Sequence, residues 1–166
     1  MRKTKGISLV VTAMLLVMIS IALAVGLWIY AQRYTKGGSP IQAQLNVISN
    51  RYINNVPVYT LSLLAQSKSV KTLQIVSIKI IGTTSSGKAM ILTISNGNQT
   101  IGASYSASVS PSLPYTINPN SQTELALTIA GNNANVSALA SVSVQITLKN
   151  NAGNTYTVQT NAVQLG

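Results

Sequence analysis

The side chains that most often do chemistry in proteins are nearly absent from this chain. Its 166 residues contain no cysteine and no histidine, and Glu124 is the one acidic residue. Zinc and iron–sulfur sites need Cys, His or carboxylate clusters, and general acid–base catalysis normally draws on His, Asp or Glu. Lysine and tyrosine remain as possible bases, but no partner is available to orient them. The composition therefore predicts a protein that is not an enzyme, with no catalytic site, no metal site and no cofactor.

The basic residues are numerous but dispersed. The net charge is +10. Arg2, Lys3 and Lys5 precede a long apolar segment, and from position 51 onward the basic residues stand singly: Arg51, Lys68, Lys71, Lys79, Lys88 and Lys149. Proteins that bind nucleic acid cluster their lysines and arginines on one face or in one motif. The scattered pattern indicates solvated single charges and predicts no nucleic-acid partner.

The apolar segment begins directly after the basic N-terminus. Residues 7–30 carry no charge, and roughly 24 residues make a helix of about 36 Å. That length crosses a hydrocarbon core of about 30 Å with some tilt. Trp28, Tyr30 and Tyr34 cluster at the far end, as interfacial aromatic residues do. The basic N-terminus is expected to stay on the cytoplasmic side.

Three interpretations of this segment compete. An ordinary secretory signal has an apolar core of about 7–15 residues and then a small-x-small cleavage site. This core is longer, and Ala22-Leu23-Ala24 lies inside it. A plain membrane anchor fits the length. The third interpretation rests on Lys5-Gly6-Ile7-Ser8, in which a basic residue and a glycine stand directly before the uninterrupted apolar run.

That tetrapeptide resembles the class III signal peptide of type IV pilins. The resemblance implies that residues 1–6 are a signal peptide and that a prepilin peptidase cuts between Gly6 and Ile7. It further implies a precursor in the cytoplasmic membrane, an assembly ATPase, a membrane platform protein and a filament on the cell surface. Bacterial members usually have Glu five residues after the cut, where this chain has Val11, which points to the archaeal branch. The start Ile7-Ser8-Leu9 differs from that of archaellins, so an adhesive pilin is preferred over an archaellin.

The apolar helix is predicted over residues 7–36 as the polymerisation element. A helix that is apolar on every face must be buried in lipid or in protein. Outside the membrane, identical helices of other copies are the available partners, so the chain is expected to form a homopolymer. Ser20 and Ala24, and likewise Ala22 and Gly26, are four residues apart. Small residues at this spacing let helices approach closely.

A short linker is expected at residues 37–40, where Gly37, Gly38, Ser39 and Pro40 follow the helix. Glycine permits left-handed backbone and proline cannot continue a helix. One interpretation is a helix cap and turn. The other is a hinge at Gly37, Gly38 and Pro40 that lets the outer domain take different angles.

From residue 41 to residue 166 the hydrophobic pattern has period two. Apolar and polar residues alternate over 41–48, 70–80, 125–129, 142–149 and 155–160, and further runs cover 58–64, 89–94 and 99–105. Alternation predicts half-buried strands, and clusters of Gly, Pro and Asn predict turns at 82–87, 96–97, 111–114, 118–120, 131–135 and 150–154. The predicted fold class is α+β: a long N-terminal hydrophobic helix followed by an immunoglobulin-like antiparallel β-sandwich. Glu124 is expected to face solvent, on the opposite strand face from Leu125.

Two sequons, Asn98-Gln99-Thr100 and Asn135-Val136-Ser137, lie in predicted loops and are candidate glycosylation sites at Asn98 and Asn135. The serine-rich segment 104–112 resembles an exposed loop or O-glycan segment. The function expected from all these features is a structural subunit of a type IV pilus that mediates surface adhesion. An archaellin and a membrane-anchored extracytoplasmic binding module remain the alternatives.

Overall fold

The computed structural model describes the backbone of residues 4–35 and 40–166, with side chains over 11–28 and 40–166. The chain divides into two units, Met1–Gly38 and Ser39–Gly166. The first contains one helix and the second contains all of the described strands.

Helix α1 spans Thr4–Thr35, which is 32 residues. No proline interrupts it, and its two glycines are Gly6, near its start, and Gly26. Most of its residues are Leu, Met, Ala, Ile or Val, whose side chains do not compete for backbone hydrogen bonds. Ser20 has a polar side chain, and its Oγ donates a hydrogen bond of 2.8 Å to the Leu16 carbonyl oxygen in the preceding turn of the same helix. The helix begins before the residues 7–36 that the sequence predicts, so the proposed cut between Gly6 and Ile7 falls inside its backbone.

The second unit is built from eleven strands. They are β1 Ile41–Ile53, β2 Val56–Ser67, β3 Leu73–Thr84, β4 Ala89–Ile94, β5 Gly97–Ile101, β6 Tyr105–Leu113, β7 Tyr115–Ile117, β8 Gln122–Gly131, β9 Leu139–Asn150, β10 Thr155–Gln159 and β11 Val163–Gln164. Every pairing is antiparallel.

These strands form two sheets. The first sheet has the order β1-β2-β8-β6-β5, and the second has the order β10-β9-β3-β4, with β7 and β11 attached to β3 and β9. Immunoglobulin-like domains have the same arrangement, in which strands A, B, E and D face strands G, F and C. The predicted fold class, an apolar helix followed by an antiparallel β-sandwich, is confirmed.

The core lies between the two sheets and follows the period-two alternation. Fully buried residues come from the first sheet (Leu61, Leu63, Leu125, Leu127 and Ile129) and from the second sheet (Ile75, Ile78, Ile80, Val144, Ile146 and Leu148). Glu124 is exposed while Leu125 is buried, as the alternation predicts. On the outer face of the first sheet Glu124 accepts a hydrogen bond from Ser62 Oγ.

The serine-rich segment 104–112 is not a loop, which corrects the prediction. Residues Tyr105–Leu113 form strand β6, between β5 and β8 in the first sheet. Tyr105, Ala107 and Val109 are buried, and the intervening serines lie on the outer face. The serines conceal a normal strand alternation, because Ala and Tyr are weaker hydrophobic signals than Val or Ile. The predicted turn at 111–114 shrinks accordingly, and the turn predicted at 82–87 starts only after Thr84, where β3 ends.

The turn between β1 and β2 is not predicted by the sequence pattern. Strands β1 and β2 form a long hairpin closed by Asn54 and Asn55, with φ values of 50° and 63°. Two central residues with positive φ define the type I′ turn, which asparagine tolerates better than most residues. The sequence pattern predicts no turn at this Asn-Asn dipeptide, because the alternation of β1 extends only over residues 41–48.

Candidate functional site: an exposed apolar helix and two surface clefts

The residues of α1 from Val11 to Trp28 are all exposed in the single chain. Their mean hydropathy is 2.4 and no part of this window is buried, so the helix is long and apolar enough to cross a membrane. The exposed large side chains occupy every face of the helix: Val11, Met14, Leu15, Leu16, Val17, Met18, Ile19, Ile21, Leu23, Val25, Leu27 and Trp28. Such a helix requires lipid or protein around it.

The four small residues predicted to mediate helix packing lie within this exposed window. Ser20, Ala22, Ala24 and Gly26 are all exposed. A Cβ added at Gly26 would meet no atom within 4 Å. The Ser20 hydroxyl is already bonded to the helix backbone, so it can lie against an apolar partner without losing a hydrogen bond. Ser20 and Ala24 lie on one side of the helix and Ala22 and Gly26 on the nearly opposite side, so each pair offers another helix a separate place for close approach.

The predicted cleavage residues and the predicted hinge lie partly outside the described residues. Lys5, Gly6 and Ile7 belong to the backbone of α1, and their side chains lie outside the described residues. Gly37 and Gly38 lie outside them as well. Pro40 is described, and its carbonyl accepts a hydrogen bond of 2.8 Å from the Lys68 N–H. This bond attaches the start of β1 to the loop that follows β2.

A cleft of about 530 Å³ opens at one end of the sandwich. Three connections border it: the β3–β4 turn, the β5–β6 turn and the β8–β9 loop. Ile41, the first residue of β1, lies at the opposite end of the sandwich, because β1 runs from there to its hairpin at Asn54. The lining residues are Thr84, Ser86, Lys88, Ala89, Met90, Ile91, Leu92, Gly102, Ala103, Ser104, Tyr105, Asn133, Asn135, Val136 and Ser137. Nothing in the sequence pattern brings these three connections together.

The two sequon asparagines occupy different settings. Asn135 is exposed in a turn of the β8–β9 loop and borders the cleft. Asn98 is also exposed, but it lies in edge strand β5, at the irregularity between Gly97 and Gln99, rather than in a loop. The prediction that the sequon asparagines lie in loops is therefore correct for Asn135 and wrong for Asn98.

A second cleft, of about 470 Å³, follows the seam between β1 and β10. These strands are the outer strands of the two sheets on the same side of the sandwich. The cleft is lined by uncharged residues, with amide side chains prominent: Ile41, Gln42, Ala43, Gln44, Leu64, Gln66, Val158, Gln159 and Asn161. Further along β1, Val47, Ile48, Tyr52 and Ile53 are exposed apolar residues.

Two buried tyrosines carry the clear pKa shifts of this domain. Burial raises the pKa of Tyr105 to about 12, with smaller contributions from the nearby Tyr59 and Tyr52 phenols. Burial also raises the pKa of Tyr59, against a lowering by its hydrogen bond with the Leu139 backbone. Both phenols therefore stay neutral at physiological pH and act as hydrogen-bonding groups between the sheets.

Comparison with known proteins gives no family assignment. No family model matches the chain, and no curated protein matches it. Among solved structures, the putative ApaA protein from Bordetella pertussis is 11% identical, covers 75% of this chain and 93% of its own, and has a TM-score of 0.47. The FixG-related protein from Vibrio parahaemolyticus is 11% identical over 76% of this chain and 97% of its own, with a TM-score of 0.45. The archaeal flagellum of Methanospirillum hungatei strain JF1 is 14% identical over 96% of this chain and 90% of that one, with a TM-score of 0.42. At this level of similarity none of them carries an argument about function.

Proposed function

We propose that this chain is a structural subunit of an extracellular filament of the type IV pilus kind, polymerised through α1 and coated by its β-sandwich. One observation carries the proposal. The helix presents apolar side chains on every face from Val11 to Trp28, and none of this window is buried within the chain. Lipid covers such a helix in the precursor, and other copies of α1 cover it in the filament.

The energetics favour assembly once lipid is gone. Burying a large apolar side chain contributes about 1.5–3 kcal/mol, and α1 exposes a dozen of them between Val11 and Trp28. The loss of translational and rotational freedom and the ordering of side chains reduce the net gain substantially. What remains still stabilises a filament without covalent links between subunits.

The β-sandwich is suited to form the outer surface. It has a complete apolar core of its own between the two sheets, so it needs no partner to bury its strands. Its role in this proposal is structural and adhesive, without catalysis or a cofactor. The start Ile7-Ser8-Leu9 supports an adhesive pilus rather than an archaellum filament. The surface of the β-sandwich would then bind the target of adhesion.

Processing by a prepilin peptidase, followed by an assembly ATPase and a membrane platform protein, belongs to the same proposal. Its support is the Lys5-Gly6-Ile7 sequence before the apolar run. A membrane-anchored binding module would use the same helix as a permanent anchor. The two functions differ in whether the mature chain leaves the membrane.

The test is to purify surface filaments from cells that make this protein, identify their subunit and determine its N-terminus by mass spectrometry. A filament subunit that starts at Ile7 is the expected result. Gly6→Leu should block processing and retain the chain in the membrane, whereas Gly6→Ala should still be cut because the residue stays small. A chain found only in membranes, with an intact Met1 in the wild type, would contradict the filament function and favour the anchored module.

A further inference from the structure

The cleft of about 530 Å³ has a candidate glycosylation site on its border. Asn135 is exposed and is followed by Val136 and Ser137, so it satisfies the Asn-x-Ser/Thr pattern that marks an N-glycosylation acceptor in an exported protein. Val136 is partly buried and packs against the core. The Asn135 side chain is thereby held at the cleft and does not extend from a long free loop.

The loop that carries Asn135 is tied to its surroundings by hydrogen bonds. The Asn133 carboxamide oxygen accepts from the Asn135 N–H at 3.0 Å. Asn132 Nδ2 donates to the Gly102 carbonyl at 2.8 Å and so joins the loop to the β5–β6 turn. Tyr105 Oη donates to the Ser137 carbonyl. The border of the cleft is therefore preorganised before any ligand occupies it.

The lining combines the two kinds of surface that a sugar needs. Polar contacts are available from the Ser104 hydroxyl and the Lys88 ammonium group, and the Ser86 hydroxyl, 3.0 Å from Thr84 Oγ1, adds a further polar group. Met90 and Leu92, which are largely buried, supply apolar surface. No carboxylate lines it. The volume of about 530 Å³ falls in the range of small-molecule sites, which are concave, largely apolar and furnished with a few placed polar groups.

We propose that this cleft holds the first sugars of an N-linked glycan attached to Asn135. In the covalent step, Asn135 Nδ2 forms a bond to the anomeric carbon of an oligosaccharide that is activated as a lipid-linked glycosyl diphosphate. The anomeric C–O bond breaks, the diphosphate leaves with its electron pair, and one amide proton passes to a base. This inference rests on the proposed function only in that the domain must be exported.

The second sequon lacks these features. Asn98 is exposed on edge strand β5 and lines neither of the two clefts described above. A glycan there would project into solvent or lie along the strand edge. The two sequons can therefore be compared within one protein, because only a glycan on Asn135 is expected to lie in a cleft.

The experiment uses full-length protein purified from cells that make it. Glycopeptide mass spectrometry determines whether Asn135 carries a glycan. The protein is then acetylated under limiting conditions, and the rate at Lys88 is measured. Lys68 and Lys71, in the loop between β2 and β3 at the other end of the sandwich, serve as reference amines.

Four variants accompany the wild type. Ser137→Ala removes the sequon and leaves Asn135 in place, Ser137→Thr preserves the sequon, and Asn135→Gln removes the acceptor itself. Thr100→Val removes the other sequon. We expect Lys88 to react severalfold more slowly in the wild type, Ser137→Thr and Thr100→Val than in Ser137→Ala and Asn135→Gln. Lys68 and Lys71 should react equally in all five proteins.

An unmodified Asn135 in exported protein would overturn the inference. So would a modified Asn135 with the same Lys88 rate in all five proteins, because the glycan would then not occupy the cleft. Electron microscopy of the same cells scores filaments separately. Filaments whose Asn135 carries no glycan would contradict only the proposal that the cleft holds a glycan. A glycan that protects Lys88 in cells without filaments would support that proposal and contradict the filament function.

Discussion

Tyr59 on β2 and Tyr105 on β6, the two strands that flank β8 in the first sheet, reach the same short segment of backbone. The Leu139 N–H donates to Tyr59 Oη at 2.7 Å, and Tyr105 Oη donates to the Ser137 carbonyl. Segment 137–139 leads into β9 of the second sheet. The two phenols therefore join the sheets at the end of the sandwich where the cleft opens, and one of them accepts while the other donates.

Removing the two hydroxyls should have unequal effects. Tyr59→Phe leaves the buried Leu139 N–H without an acceptor, which costs about 1–3 kcal/mol. Tyr105→Phe deprives the carbonyl of Ser137, an exposed residue, and water can replace the lost partner, so we expect about 0.5–1.5 kcal/mol. Chemical denaturation of the full chain in detergent, followed by circular dichroism, measures both. Equal losses, or a larger loss for Tyr105→Phe, would contradict this account.

Alkaline pH should weaken the sandwich through the same residues. The folded pKa of Tyr105 is raised to about 12 from 10.0 by burial, and the pKa of Tyr59 is raised as well. Between these values the unfolded chain has lost phenolic protons that the folded chain keeps, so the free energy of unfolding falls as pH rises. The contribution is fully present below about pH 10 and is lost by about pH 12.

The measurement is the thermal midpoint of the full chain at several pH values across this interval. The wild type should lose stability steeply, and Tyr105→Phe should start lower but decline less, because one of the raised pKa values is gone. A Tyr105→Phe variant whose decline parallels that of the wild type would show that Tyr105 does not carry the effect.

Gly102, at the turn between β5 and β6, should not tolerate a side chain. A Cβ there would lie 2.6 Å from Leu92 Cδ2 and 3.1 Å from the Tyr105 carbonyl oxygen. Overpacking of this kind typically costs about 1–3 kcal/mol, so Gly102→Ala should lower the free energy of unfolding by that amount. Combining Gly102→Ala with Leu92→Ala should relieve the clash, so the double variant should lose less stability than the two single losses added together. A loss equal to or larger than that sum would contradict this account.

Replacing Gly26 by a large residue should leave the helix of the single chain intact but disturb the packing of α1 against other copies. No atom lies within 4 Å of a Cβ built at this position, and leucine, like alanine, is favoured over glycine in a helix, by roughly 0.5–1 kcal/mol. Gly26→Leu should therefore leave the helix content of the detergent-solubilised monomer unchanged while reducing filament formation. Val25→Leu, a change of similar chemistry on an already large residue, is the control. Filaments of normal yield from Gly26→Leu would show that Gly26 is not at a close helix contact.

The amino-acid sequence by itself determines the two-part organisation of this protein. An uninterrupted apolar run of this length forms a helix in lipid or among other apolar helices, because the helix satisfies its backbone hydrogen bonds internally. The period-two alternation after residue 41 predicts which face of a strand is buried. Leu125 inside and Glu124 outside follow from that alternation alone. These features are local, so neighbouring residues are sufficient to predict them.

Only the tertiary structure decides which strands are neighbours and what their ends create. Tyr59 and Leu139 are 80 residues apart, and no local pattern records that they meet. The same is true of the cleft, whose three bordering connections come from both sheets. The local sequence of β6 predicts an exposed loop because serine dominates it, and its pairing with β5 on one side and β8 on the other leaves no local signal. Pairing order is a property of the whole chain, since each strand finds its position by burying its apolar face against residues far away in sequence.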